Sequence, residues 1–199
     1  VIDHFAIWYD IPITVIDFET TGVNKKACGV VQVAAVRFEK GRVTDSHKTL
    51  VDPGIPIPFH ATKVHGIRDA DVRGAPSAED ALASKDMYRV CAGAVFCAYN
   101  EEFDRGIAER FALDLVPDYG PWIDPLVMVR YFAKKQGVKG NKLGEACARW
   151  GVELTDAHDA LADATATGEL LWAMRRYIGI MTYGELIRRQ RTQAHKNRG

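Results

Sequence analysis

Four carboxylates sit where a residue of the hydrophobic core is expected. Asp17 and Glu19 lie two apart at the end of the run Ile13 to Phe18, so on a β-strand both point to the side of Ile13 and Val15. Asp104 shares a helical stripe with Ile107, Ala108 and Phe111; Asp163 shares one with Ala160, Ala164, Thr167, Leu171 and Met174. Acids are almost never fully buried unless paired or bound to a metal, and no basic residue lies on these stripes. If the four converge, each pair about 4 Å apart repels by roughly 4 kcal/mol at an effective dielectric of about 20. Several such pairs exceed the net stability of a domain, about 5–15 kcal/mol. The cluster then needs cations or protons, and hard oxygen ligands without a nearby cysteine suit Mg2+ or Mn2+ rather than zinc. Taken singly, each acid has an ordinary explanation, since a strand-end acid faces solvent and an acid on a helix caps or pairs. Three separate segments breaking their own periodicity with the same group point to a shared site.

His158 precedes Asp163 by five residues, which on one helix would set them about 140° apart. They can share a site only if His158 lies in the loop before the helix, and Thr155-Asp156-Ala157-His158-Asp159 carries the residues that favour helix starts. A loop-borne imidazole, with an unperturbed pKa near ~6.5, can take a proton from water near neutral pH. Its ordinary alternative is a surface histidine at a helix cap.

The elements that must position these groups follow from the hydrophobic pattern. Ile13 to Phe18, Val30 to Phe38 and Val43 to Val51 read as strands joined by short polar links, the second turn being Glu39-Lys40-Gly41-Arg42, and they suggest an antiparallel meander. The proline-rich stretch Asp52 to Pro58 is a loop. Helices are expected over Ala61 to Ile67 and Ser77 to Asp86, the latter with Ser77 as N-cap. Ala92 to Ala98 reads as a buried strand and Glu101 to Leu115 as an amphipathic helix. A short strand near Trp122 to Asp124 precedes helices around Pro125 to Lys134, Leu143 to Trp150 and Asp159 to Tyr177. Strands first, then strands alternating with helices, predict an α/β fold with a mixed sheet flanked by helices. The division expected is a domain over 1–179 and a basic C-terminal tail over 180–199, with Arg188, Arg189, Arg191, Lys196 and Arg198, read as a solvated helix, a disordered tail or a docking segment.

Composition bounds the function classes. The 199 residues are 47% hydrophobic and 26% charged, with 26 basic and 26 acidic side chains, the profile of one globular domain rather than a disordered or disulfide-stapled chain. The zero net charge argues against coating nucleic acid by bulk attraction, while an enzyme acting at a strand end needs few phosphate contacts. Cys28, Cys91, Cys97 and Cys147 show no metal-binding spacing and read as buried thiols of a reducing compartment, hence a cytoplasmic location. No secretory signal is visible, and a start at Val1 rather than Met leaves room for an upstream segment.

Three ordered segments then bring a family into view. Val15-Ile16-Asp17-Phe18-Glu19-Thr20-Thr21-Gly22 resembles the first motif of the DEDDh 3′–5′ exonucleases, Ala98-Tyr99-Asn100-Glu101-Glu102-Phe103-Asp104 the second, and His158-Asp159-Ala160-Leu161-Ala162-Asp163-Ala164 the third. Lys63-Val64-His65-Gly66-Ile67 followed by Ala75-Pro76 matches a linking segment of the proofreading-type members, and the likeness, greatest to the epsilon proofreading subunit of bacterial DNA polymerase III, spans Thr14 to Trp172. The resemblance implies an RNase H-like fold with a mixed five-stranded sheet and the release of nucleoside monophosphates from a DNA 3′ end, preferably single-stranded or unpaired, in proofreading or repair. It implies that Asp17, Glu19, Asp104 and Asp163 hold two Mg2+ ions, with Mn2+ able to substitute, and that His158 is the general base. It places Thr20 and Thr21 at the terminal sugar, and Val64, His65 and Phe103 near the terminal nucleotide. Tyr99 departs from the family, where many members carry His, and Asp159 adds a negative charge beside His158.

The partners expected are single-stranded or frayed DNA 3′ ends and a DNA polymerase or other replication or repair protein, with no membrane. Two other readings stay open: an RNA-trimming exonuclease of the same family, and a non-catalytic module that binds nucleic-acid ends or a polymerase. A structural Ca2+ site is disfavoured by the absence of an EF-hand pattern. Gln190 and Gln193 lack the aromatic pair of a clamp-binding peptide.

Overall fold

The strand-forming runs pair as the expected meander. β1 (Ile13–Thr20), β2 (Val30–Glu39) and β3 (Arg42–Leu50) are consecutive antiparallel neighbours, and β4 (Val95–Cys97) adds parallel to β1, giving the order β3-β2-β1-β4. The computed structural model describes residues 3–111 and 120–197; Leu115 and Arg198, named above, lie outside them. Lys40 and Gly41 both have positive φ, as a two-residue hairpin turn between twisted strands requires.

The five-stranded expectation is corrected to four strands among the described residues. The fifth, near Trp122 to Asp124, is reduced to a single parallel bridge between Ile123 and Cys97. β4 itself is three residues long and ends opposite Val15, so nothing longer can pair along it. The mixed sheet flanked by helices stands.

Alternation along β1 sends Ile13 and Val15 to one core and Ile16 and Phe18 to another on the opposite face. The first face is covered by α5 (Pro125–Gln136), α6 (Leu143–Trp150) and α7 (Ala160–Ala173), with α8 (Arg175–Ile178) following α7 after a break at Met174. The second is covered by α2 (Ala78–Leu82), α3 (Lys85–Cys91) and α4 (Glu101–Phe111). Ser77 caps α2 as expected, but Ser84 accepts from the Met87 amide and starts a separate helix, so the single helix foreseen to Asp86 is two. Gly168 lets α7 approach β2 closely, since a Cβ there would lie 2.1 Å from the Phe38 ring. α1 (Phe59–His65) stands apart on a small third cluster built on Val31, Ile57, Ala61, Ile67 and Val72.

The basic segment forms a helix, α9 (Tyr183–Asn197), whose inner face joins the first core through buried Tyr183, Leu186 and Ile187. Thr182 and Glu185 cap its start reciprocally: Glu185 Oε2 accepts from the Thr182 amide and Thr182 Oγ1 accepts from the Glu185 amide. All four cysteines are free and buried, and burial pushes the Cys91 thiol up to about 12. No helix among the described residues is long and apolar enough to cross a membrane.

Candidate active site

The site forms where β1 outruns its neighbour. Beyond Val15 no strand among the described residues pairs with the β4 side of β1, and α4 fills the gap: Asp104, 4% exposed, accepts from the Phe18 amide at 3.3 Å. Asp17 and Glu19 point to the face that α7 covers, and Asp163 lies in the first turn of α7. That helix is seated by two caps: Asp159 accepts from the Leu161 and Ala162 amides, and buried Gln32, opposite Glu19 on β2, accepts from the Ala160 amide at 2.8 Å. His158 lies in the turn before α7 in a left-handed conformation, φ 71°, sparsely populated for non-glycine residues. Its backbone amide donates to Asp163 Oδ2 at 3.3 Å, closing the turn that holds the imidazole beside the carboxylates.

Ligand atoms of Glu19, His158 and Asp163 all lie within 4.8 Å of one another. Asp17 joins this group through the field it shares with Asp163 and Glu19, and Asp104 joins through Asp17. Burial is the main cause of every shift. It raises Asp17 and Asp104 well above the usual carboxylate range, raises Asp163, and with the repulsion of Asp17 and Asp163 pushes Glu19 up to about 9. Among the described residues none of the four forms an ion pair with a Lys or Arg, and Asp163 Oδ1 is buried without a hydrogen-bond partner. An unpaired cluster of hard oxygen donors with an orphaned buried oxygen fits divalent cations of the magnesium type.

The remaining residues named from the sequence fall around this cluster. Thr20 Oγ1 donates to the Gly22 carbonyl, and buried Thr21 accepts from the Gly29 amide, so both hydroxyls shape the turn after β1. His65 reaches in from α1: Nδ1 accepts from the Ile67 amide, while Nε2 is buried without a hydrogen-bond partner, near the Thr20 backbone and His158. Its imidazole pKa is lowered, first by burial. Val64 is 52% exposed and so lies outside the core. Phe103 is half-buried and lines a cleft of about 330 Å3 with Val23, Asn24, Lys25, Lys26, Asn100 and Glu102. Tyr99, where many family members carry His, spends its hydroxyl on the Asn141 carbonyl at 2.6 Å.

Three supporting residues escaped the sequence reading. Lys48 on β3 pairs with Asp159 at 2.8 Å, so the extra acid beside His158 is neutralised. Gln32 seats α7. Asp124, buried with its pKa pushed up to about 7 chiefly by desolvation, accepts from the Asn100 amide. Only the N-cap position of Asp124 before Pro125 was a visible signal.

Comparison with known proteins agrees with this geometry. The family model described as RNase_T, Exonuclease, matches residues 14–171. The DNA polymerase III PolC-type of Halalkalibacterium halodurans is 30% identical over 167 residues, covering 83% of this chain and 11% of that protein. Its counterpart in Streptococcus thermophilus is 35% identical over 162 residues, covering 79% and 11%. The chain thus spans 11% of the length of these curated relatives. Among solved structures, exonuclease I superposes with a TM-score of 0.73 at 18% identity, covering 88% of this chain and 42% of that one. Exonuclease X, solved in complex with 5′ overhanging duplex DNA, gives 0.65 at 23% identity, covering 87% and 98%. At these identities the structural likeness establishes the RNase H-like fold.

Proposed function

The chain belongs to the RNase_T exonuclease family, and from that premise we propose that it is a metal-dependent 3′–5′ exonuclease acting on DNA. It releases nucleoside monophosphates and prefers single-stranded or unpaired ends. The observation that carries the reading is a set of four interacting carboxylates that form no ion pair with a Lys or Arg among the described residues, with an exposed imidazole at its edge.

In this reading Asp17, Glu19, Asp104 and Asp163 hold two Mg2+ ions, or Mn2+ in their place. Bound there, the cations supply positive charge for the attacking water and the leaving 3′-oxygen of an in-line displacement. The four acids must lose their protons to bind them, so loading releases protons. A ring nitrogen of His158 accepts the proton of the attacking water, and its left-handed turn fixes the imidazole over the carboxylates. Asp159, tied to Lys48, contributes a helix cap and little net charge.

Backbone groups at Thr20 and Thr21 receive the terminal sugar, and Phe103 and His65 flank the terminal nucleotide. Exposed Val64 suits a wedge that separates the terminal base from its stack, a cost least for mismatched or single-stranded ends. None of the groups assigned to substrate lies in the basic segment 180–199; all fall within 1–179. The PolC-type relatives favour proofreading beside a polymerase, in a reducing cytoplasm that suits the four free thiols.

A time course on 5′-labelled single-stranded DNA with Mg2+, Mn2+ or chelator tests this. A one-nucleotide ladder that needs metal is expected, and D17A or H158A should abolish it; undiminished degradation by both variants would sink the site. Faster hydrolysis of a matched RNA oligonucleotide would move the substrate to RNA.

A further inference from the structure

The segment Trp122 to Asp124 runs beside β4, with the Ala98 amide donating to Ile123 O and the Ile123 amide to Phe96 O. Its outer edge has no strand beside it among the described residues, yet it is not left bare. Gln190, 7% exposed on α9, offers a side-chain amide in place of a peptide group: Oε1 accepts from the Asp124 amide at 2.8 Å and Nε2 donates to the Trp122 carbonyl at 3.0 Å. These are the two groups that a neighbouring strand would pair.

The contact continues inward. Asp124 Oδ1, held on this segment, accepts from the Leu126 amide at 2.9 Å and from the Asn100 amide at 3.0 Å. Asn100 has φ 70° and ends the turn that launches α4, with its carbonyl accepting from the Phe103 amide. One residue further, Asp104 grips the Phe18 amide between Asp17 and Glu19. The side-chain links made by Gln190, Asp124 and Asp104 are buried or half-buried hydrogen bonds, and a buried amide deprived of its partner costs about 1–3 kcal/mol, so the turn has reason to shift when a link is lost.

We propose that Gln190, on a helix beyond the family-matched residues 14–171, is a positioning residue for the active site, holding Asp104 in register with β1 through Asp124 and Asn100. The catalytic part of the claim rests on the exonuclease reading; the structural part does not.

The test uses the full chain with Gln190→Leu, which is close in size and loses both bonds, and Arg191→Ala as an exposed control. Amide exchange is followed by NMR in chelator, without DNA. In Gln190→Leu the Asn100 and Phe18 amides should exchange faster while those of β2 and β3 keep wild-type rates. With Mg2+ and single-stranded DNA, kcat should fall by about 10- to 100-fold, the range a displaced catalytic group costs, with KM little changed and more Mg2+ needed for half-saturation. Arg191→Ala should match wild type in both. Should Gln190→Leu fail to fold, Gln190→Met, which also loses both bonds, takes its place with the same expected pattern. Unchanged exchange at Asn100 and Phe18, or equal loss of protection across the sheet, overturns the positioning role. A wild-type protein that leaves DNA intact counts against the exonuclease reading, while the exchange pattern still decides the relay.

Discussion

Replacing Glu19 with glutamine isolates what carboxylate crowding costs the metal-free protein. Glu19 is buried, with its pKa raised from 4.5 to about 9 by desolvation and by Asp17, Asp163 and Asp159. The folded state therefore keeps a proton that the unfolded chain releases, and stability falls as pH rises from the unfolded value of 4.5 toward the folded value of about 9. At about 1.36 kcal/mol per pKa unit, the loss is on the order of 1 kcal/mol at pH 5 and about 3 kcal/mol at pH 7. Glutamine copies the protonated carboxyl in shape and never ionises, so it escapes this loss. The stability of Glu19→Gln relative to wild type should rise by about 2–3 kcal/mol between those pH values. Urea denaturation in chelator at pH 5, 6 and 7 measures it. Added Mg2+ should then stabilise wild type and do much less for the variant, since ligand binding to the native state is itself stability. A difference between the two proteins that stays flat from pH 5 to pH 7 would refute the argument, because the acid would then be solvated or already paired.

Other perturbations separate chemistry from framework. His158→Ala should lower kcat by about 100-fold or more while leaving urea stability within about 0.5 kcal/mol, because the side chain is exposed. Lys48→Ala removes a part-exposed pair worth at most about 1 kcal/mol, so the urea stability should fall by no more than that; a larger loss would mean that the pair does more than cap the start of α7. Gly168→Ala, a change that ordinarily strengthens a helix, should here cost about 1–3 kcal/mol in urea, because the new Cβ meets the Phe38 ring packed against Trp172.

The clustering of the carboxylates was more legible in the sequence than the groups that support it. Periodicity placed Asp17, Glu19, Asp104 and Asp163 on inward faces because an acid on an apolar stripe is visible without any partner. The loop position of His158 followed from helix geometry alone. What escaped were groups whose role depends on contacts remote in sequence: Lys48 lies 111 residues before Asp159, Gln32 lies 128 before Ala160, and Gln190 lies 66 after Asp124. The fifth strand was overread because Trp122 to Asp124 has strand-like residues, yet one bridge and a glutamine serve it in place of a ladder. The split between α2 and α3 was legible in Ser84, a capping residue inside the expected helix. Likewise Thr182-x-x-Glu185 with Tyr183, Leu186 and Ile187 carried a capping box and an apolar stripe, masked by the surrounding arginines.

The brevity of β4 sets a limit on how this molecule can change. Lengthening it by three residues, to the level of Phe18, would run peptide backbone into the space that α4 occupies and make Phe18 a partner for the newcomer rather than for Asp104. The sheet would gain in regularity and surrender an anchor of its chemistry. A more ideal architecture is therefore closed to variants that keep working, and insertions between Cys97 and Asn100 should be far worse tolerated than insertions in the exposed hairpin at Lys40.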